Sequence, residues 1–245
     1  MLEEVLVRIL RANRSYREVM SQQYKNWVES MYISKAEFSE DSFGTDYQTL
    51  SKTYAPVKKA GDHTLAVVTG HQNDFSGKTN TLLEIVITTA GTPDGTAKFK
   101  WRKQTFLGGT WGDWTENQTA DADVTVTDGI HVNFNDDTYS VDDRWHVQAC
   151  GSWHTPENGV DSYLTSLFVY PYDTDKTPKA GFFRAWCGDY RMVDYITNQG
   201  EFPNWRTPIH LLGDGIEQFK VELAEIAPAG DIAHIFCVMK GWDEQ

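Results

Sequence analysis

Cysteine is scarce: Cys150, Cys187 and Cys237 are the only three in 245 residues. An odd count cannot complete a set of bridges, and none of the three has metal-ligand spacing. Their apolar neighbours, as in "HIFCVM", mark them as buried free thiols. Positive charge is short as well, with 22 Lys and Arg against 35 Asp and Glu and a net charge of −13. Nucleic-acid binders present a basic face. The nearest thing to one, Arg8, Arg11, Arg14 and Arg17, is diluted by Glu3, Glu4 and Glu18 and spreads around a helix. No nucleic acid is expected on the main body. Long apolar runs are missing: none approaches the roughly 20 residues that span a bilayer, so no membrane insertion is expected. The opening "MLEEVLVRIL" carries two acids and lacks a small-residue cleavage site, unlike a signal peptide. Synthesis in a reducing cytoplasm is the expectation.

Catalytic and cofactor motifs are also lacking. The run "TLAVVTGHQNDFSGKTN", residues 64–80, ends in Gly-Lys-Thr like a phosphate-binding loop. Six residues rather than four separate Gly70 from Gly77, and β-branched residues follow where such a loop needs a helix N-terminus. Nucleotide is not expected to bind. The histidines, at 63, 71, 131, 146, 154, 210 and 234, form no H-E-x-x-H pattern, and carboxylate or cysteine partners at ligand spacing are lacking. The acids Asp136, Asp137, Asp142 and Asp143 of "NDDTYSVDD" lack EF-hand spacing and read as solvated loop residues that start and end strands. There is no G-x-S-x-G and no nucleophile–base set. The expectations are no enzyme, no catalytic residue, no metal and no cofactor.

Aromatics are plentiful, 13% of the chain with nine Trp and eleven Tyr. Such a content favours β architecture, interfaces or sugar contact. The expected fold class is mainly β: an N-terminal amphipathic helix, an antiparallel β-sandwich module and a C-terminal β-rich domain. The helix is read over residues 1–30, where Leu2, Val5, Ile9, Ala12, Tyr16 and Val19 follow a three–four spacing. Leu6 and Leu10 widen the stripe, and Gly and Pro are absent until Gly44. It packs on its own domain or a neighbour, or it self-associates. Leu2, Val5, Leu6, Ile9, Leu10 and Tyr16 are the candidate interface residues. Residues 31–60 read as an extended arm closed by Pro56 and "KKAGD".

From 61 to 152 the pattern is β, with strands expected at 64–69, 82–89, 97–103, 122–127, 130–135 and 144–149. Asp128-Gly129, between "VTVT" and "IHVNF", is a strong hairpin signal. In "AKFKWRK", Ala97, Phe99 and Trp101 alternate with Lys98, Lys100 and Arg102, a strand with one wet face. Residues 153–245 are strand-rich but less regular; "YLTSLFVYPY", "GFFRAWC", "GIEQFKVELAEI" and "DIAHIFCVMKGW" are the best strands, and this part is a candidate to fold with residues 31–60 around an inserted middle module. "GGTWGDW", "GSWHTPENG" and "EFPNWRTP" each place tryptophan in a loop beside polar residues. Trp111, Trp114, Trp153 and Trp205 are therefore candidate surface-binding aromatics, for a protein interface or a glycan.

Gly77, "LEIVITTAGTPDGTAKFKW", "GGTWGDW", "VTVTDGIHVNF" and "TYSVDDRWHV" together carry a resemblance. The middle module resembles a β unit recurring in tailed-bacteriophage virion proteins, including tail, baseplate and fibre components. Val141-Asp142 departs from that pattern, which has glycine before the aspartate. The resemblance implies a non-enzymatic virion structural protein, a fibre, tail-tip or baseplate component. It would assemble with copies of itself, as a trimer or higher, and with other virion proteins in the bacterial host cytoplasm. A carbohydrate-binding host-receptor protein, or a capsid decoration or neck protein, are the alternatives.

Overall fold

The computed structural model describes residues 24–34, 48–104, 109–136, 138–173, 175–178, 181–197, 204–225 and 234–244. Among the described residues there are strands and no helix. In chain order the strands are β1 (Tyr24–Ser34), β2 (Gln48–Thr49), β3 (Ser51–Thr53), β4 (Val57–Ala60), β5 (Ala66–Val67), β6 (Thr81–Thr89), β7 (Lys98–Lys103), β8 (Thr115–Thr119), β9 (Val124–Thr127), β10 (Ile130–Asn133), β11 (Arg144–Gly151) and β12 (Trp153–His154). They continue as β13 (Ser162–Tyr172), β14 (Gly181–Cys187), β15 (Tyr190–Thr197), β16 (Asn204–Leu211), β17 (Phe219–Glu225) and β18 (His234–Glu244). Every pairing between them is antiparallel.

An inner sandwich stacks the sheet β3-β11-β6-β7-β8, with β4 also on β11, against the sheet β5-β10-β9. Period-two alternation turns Leu83, Ile85, Ile87, Phe99, Trp145, Val147 and Ala149 toward Ile130 and Val132. The middle of this core is aromatic. Phe134 meets Tyr139 edge-on at 5.5 Å and Trp145 at 6.5 Å, Tyr139 meets Trp145 at 5.9 Å, and Phe99 closes on Phe134 at 4.8 Å. Edge-to-face pairs each add about 0.5–1.5 kcal/mol beyond the area they bury. The Tyr139 hydroxyl donates to Thr64 O at 2.9 Å and accepts from Asp136 N, so its polar end is satisfied. Asp128 and Gly129 both lie in the left-handed region, at φ 49° and 73°, as a two-residue type I′ hairpin requires. A Cβ on Gly129 would also meet Asp74 O at 1.9 Å, so the turn is fixed by close approach as well.

An outer sandwich stacks β1-β18-β13-β16 on β12-β17-β14-β15, with β2 also on β17. Its core is largely aliphatic: Leu164, Leu167, Val169, Ile235, Cys237 and Met239 face Phe183, Ala185, Phe219 and Val221. Leu50 and Cys150 join from outside the C-terminal part of the chain. β1 pairs with β18 along its whole length, Tyr24 opposite Glu244 and Ser34 opposite His234. The inner sandwich is thus inserted between the first strands of the outer one and the rest. The expected arm over 31–60 divides between the two: 31–34 end β1, 48–49 form β2, and β3 and β4 pair with β11. The helix expected over 1–30 falls mostly outside the described residues; its last part, 24–30, is the start of β1.

The sandwiches are joined where β11 leaves one core and enters the other, with Ala149 in the first and Cys150 in the second. Ser152 is buried there and ties three segments. Its Oγ accepts from Leu50 N at 2.9 Å and donates to Val221 O at 2.7 Å, while its own backbone bonds both. The 70–80 loop docks alongside: Asn80 Oδ1 accepts from Gly151 N, and Thr155 N donates to Lys78 O. Gly77 is required by space, since a Cβ there would sit 2.5 Å from the Phe75 ring.

Candidate functional site

Residues that alternate away from the inner core lie on the outer face of its larger sheet. Strand register puts Glu84 of β6 between Arg102 of β7 and His146 of β11, with Arg144 one position along. Glu84 is only 4% exposed. A carboxylate that buried needs paired charge and hydrogen bonds. Arg102 supplies both: its Nη2 lies 2.5 Å and its Nε 2.7 Å from Glu84 Oε2. Arg144 Nη1 stands 3.4 Å and His146 Nε2 3.9 Å from the other oxygen.

The cover over this charge cluster is tryptophan. The chain after β7 folds back on it: Trp111 bridges to Gln104, and Gly112 N donates to Lys103 O at 2.9 Å. That lays both indoles on the cationic side chains. Arg102 Cζ is 4.9 Å from the Trp111 ring centre and 4.3 Å from that of Trp114, and Lys100 Nζ is 4.5 Å from Trp114. Lys100 also reaches Glu116 at 3.8 Å, and Trp111 tilts against His146. Burial, with Lys59 and Arg144 nearby, holds the His146 imidazole below its ordinary value against the opposing pull of Glu84. The result is a half-buried platform of two indoles around a locked guanidinium, with cations in excess of acids. Its chemistry is recognition of flat or anionic groups by stacking and charge.

The structure therefore brings Trp111 and Trp114 together and separates the other two candidates from them. Trp153 is a correction. It is 8% exposed, its Nε1 donates to Gly77 O at 2.7 Å, and its ring lies near-parallel to Phe75. It seals the inner core beside the junction and presents no face to a ligand. Trp205 lies in strand β16, not in a loop. Leu2, Val5, Leu6, Ile9, Leu10 and Tyr16 lie outside the described residues. Asp143 is a correction too: it is buried, accepting from Ser140 N at 2.7 Å and meeting His63 Nδ1 at 2.6 Å. Glu84 and Arg102 were not singled out by the sequence. The available signal was one acid within "TLLEIVITT", flanked by apolar residues on a strand covered on both faces.

No family model, curated protein or solved structure matches the chain.

Proposed function

We propose that this protein is a non-enzymatic structural component of a tailed-phage virion. In this reading it is tail-associated, as a fibre, tail-tip or baseplate part, and works as a multimer. The observation that carries the assembly reading is the edge of the four-stranded sheet. Among the described residues β1 is paired on one side only, by β18, over Tyr24–Ser34. Among the described residues that edge of β1 has no strand partner, and a stable fold covers or pairs such an edge. The apolar stripe from Leu2 to Tyr16 precedes β1 in sequence and is the candidate segment for self-association. Light scattering of the purified protein at micromolar concentration is expected to give a multimer of the 27.9 kDa chain. Ile9→Asp is expected to shift it toward monomer, because a charge buried without a partner is costly. A monomer in the unaltered protein sinks this reading. Mass spectrometry of purified virions tests the placement.

The Trp111–Arg102–Trp114 platform favours a second reading, a glycan-binding receptor protein. An assembly anchor has its indoles covered by a neighbouring chain; a glycan site leaves them open. A glycan array with the native protein and the Trp111→Ala, Trp114→Ala double variant separates the two.

A further inference from the structure

We propose that His71, Asp74 and His131 form a binding site for a first-row divalent transition metal of the zinc class. The ligand atoms of these three side chains all lie within 4.8 Å of one another. Two imidazoles and one carboxylate are the donor set of three-ligand zinc and related open sites, which keep a further position for water or another ligand. On a tetrahedral ion with bonds of about 2.0–2.1 Å, donor atoms stand roughly 3.3 Å apart. The three side chains therefore need only rotamer-scale adjustment. His71 and Asp74 are 40% and 44% exposed, which leaves room for that adjustment and for entry of the ion.

The backbone presets the arrangement. Val68 N donates to His131 O, His71 N to Val68 O, Asp74 N to His71 O and Ser76 N to Asp128 O, so the loop carrying His71 and Asp74 is laced to the β9–β10 hairpin carrying His131. The two imidazoles stack at 4.3 Å and 17°, so one ring must turn about its χ angles before both in-plane lone pairs point at one ion. A second carboxylate orients the deeper one: His131 Nδ1 lies 2.8 Å from Asp123 Oδ1. Donation of Nδ1–H to that oxygen leaves the Nε2 lone pair for the ion, the usual outer support of a metal-bound histidine. Thr125 Oγ1 lies 3.3 Å from Nδ1 and 3.4 Å from Nε2 of the same ring. His71 Nδ1 and Asp74 Oδ2 share a hydrogen bond at 2.5 Å. Metal binding at His71 Nδ1 replaces that hydrogen bond, and the neutral imidazole then carries its proton on Nε2. Asp123 is a positioning residue and the other three are ligands. The inference is independent of the assembly reading.

The test uses the full chain, stripped with chelator and melted with and without Zn²⁺, together with a Co²⁺ titration followed by visible absorption. Expected are a rise of several degrees in Tm, since an ion that binds only the folded state stabilises it, and visible bands of low-coordinate Co²⁺ at one equivalent. His71→Ala, His131→Ala and Asp74→Asn should each abolish both signals. Asp123→Asn should weaken Co²⁺ affinity about 10–100-fold while keeping the bands. His210→Ala, which removes a lone histidine beside Asp161, should change neither. His71 and Asp74 are exposed enough that their variants fold, and circular dichroism checks this. No Tm rise and no bands in the native protein overturn the site, as does a response that survives in the His71 and Asp74 variants.

Discussion

The inner and outer sandwiches reach similar architecture by opposite routes. The inner one is made from one continuous stretch, β3 to β11, closed by short turns such as Asp128-Gly129 and filled by an interlocking aromatic group. The outer one is made from both ends of the described chain, β1 on β18 and β2 on β17, and is filled mainly by aliphatic side chains with all three cysteines in or against its core. Local pairing sets its own register through its turns. Pairing of distant ends must first overcome the entropy of closing the chain between them. Contact order therefore predicts that the inner unit folds first and the outer unit pairs its distant strands afterwards.

That contrast can be broken most directly by excision. A fragment of residues 51–155 is expected to give a β-type circular dichroism spectrum and a cooperative melt on its own. A chain lacking residues 1–47, and with them β1, is expected to lose the outer sandwich while keeping the inner one. An unfolded fragment refutes the division. Next in size is Trp145→Ala, which removes the largest side chain of the aromatic core. It should cost about 3–5 kcal/mol in urea unfolding. Ser152→Ala should cost about 1–3 kcal/mol, because Leu50 N and Val221 O each lose a partner. It should also split a single melt into two, and a melt that stays single argues against a junction at Ser152.

The cysteines sharpen the contrast further. Burial pushes the Cys237 thiol up to about 12, and burial with Glu217 nearby raises Cys187 as well. Alkylation at pH 8 should modify Cys187 slowly and Cys150 and Cys237 only after unfolding of the outer sandwich. The smallest effect concerns acid. The folded protein holds His146 below its unfolded value of 6.5. As pH falls from that value through the lower folded one, the unfolded chain takes up the proton first, and stability is lost. His146→Gln should flatten this part of the stability–pH curve measured by urea melts.

What the sequence made legible follows the same line. β6, β7 and β11 show alternation or apolar runs, and the Asp128-Gly129 turn states its own geometry, so β5, β6, β7, β9, β10 and β11 emerge within a residue or two of their observed ends. β8 does not, because "TENQT" is an exposed edge with no apolar residue to alternate. β15 and β16 are equally hidden: "NWRTPIHL" carries Pro208 and reads as a loop until β13 pairs with it. Residues 24–30 fit a helical spacing, and only β18, at the far end of the chain, makes them a strand. Of the platform, Trp111 and Trp114 were visible as loop aromatics. Glu84, Arg102 and His146 come from three strands, and nothing but their register brings them together.

The register of β1 on β18 also sets how the molecule carries load. Tyr24 sits opposite Glu244, so a force entering before one and leaving after the other acts at the same end of the pair. The ladder would peel open one residue pair at a time, as a zip opens, rather than resist in shear along its length. The inner sandwich lies off that line of force until the outer one has opened. In a pulling experiment the yielding event is therefore a low, gradual one, and the inner unit lengthens the chain only afterwards, as a separate and later step.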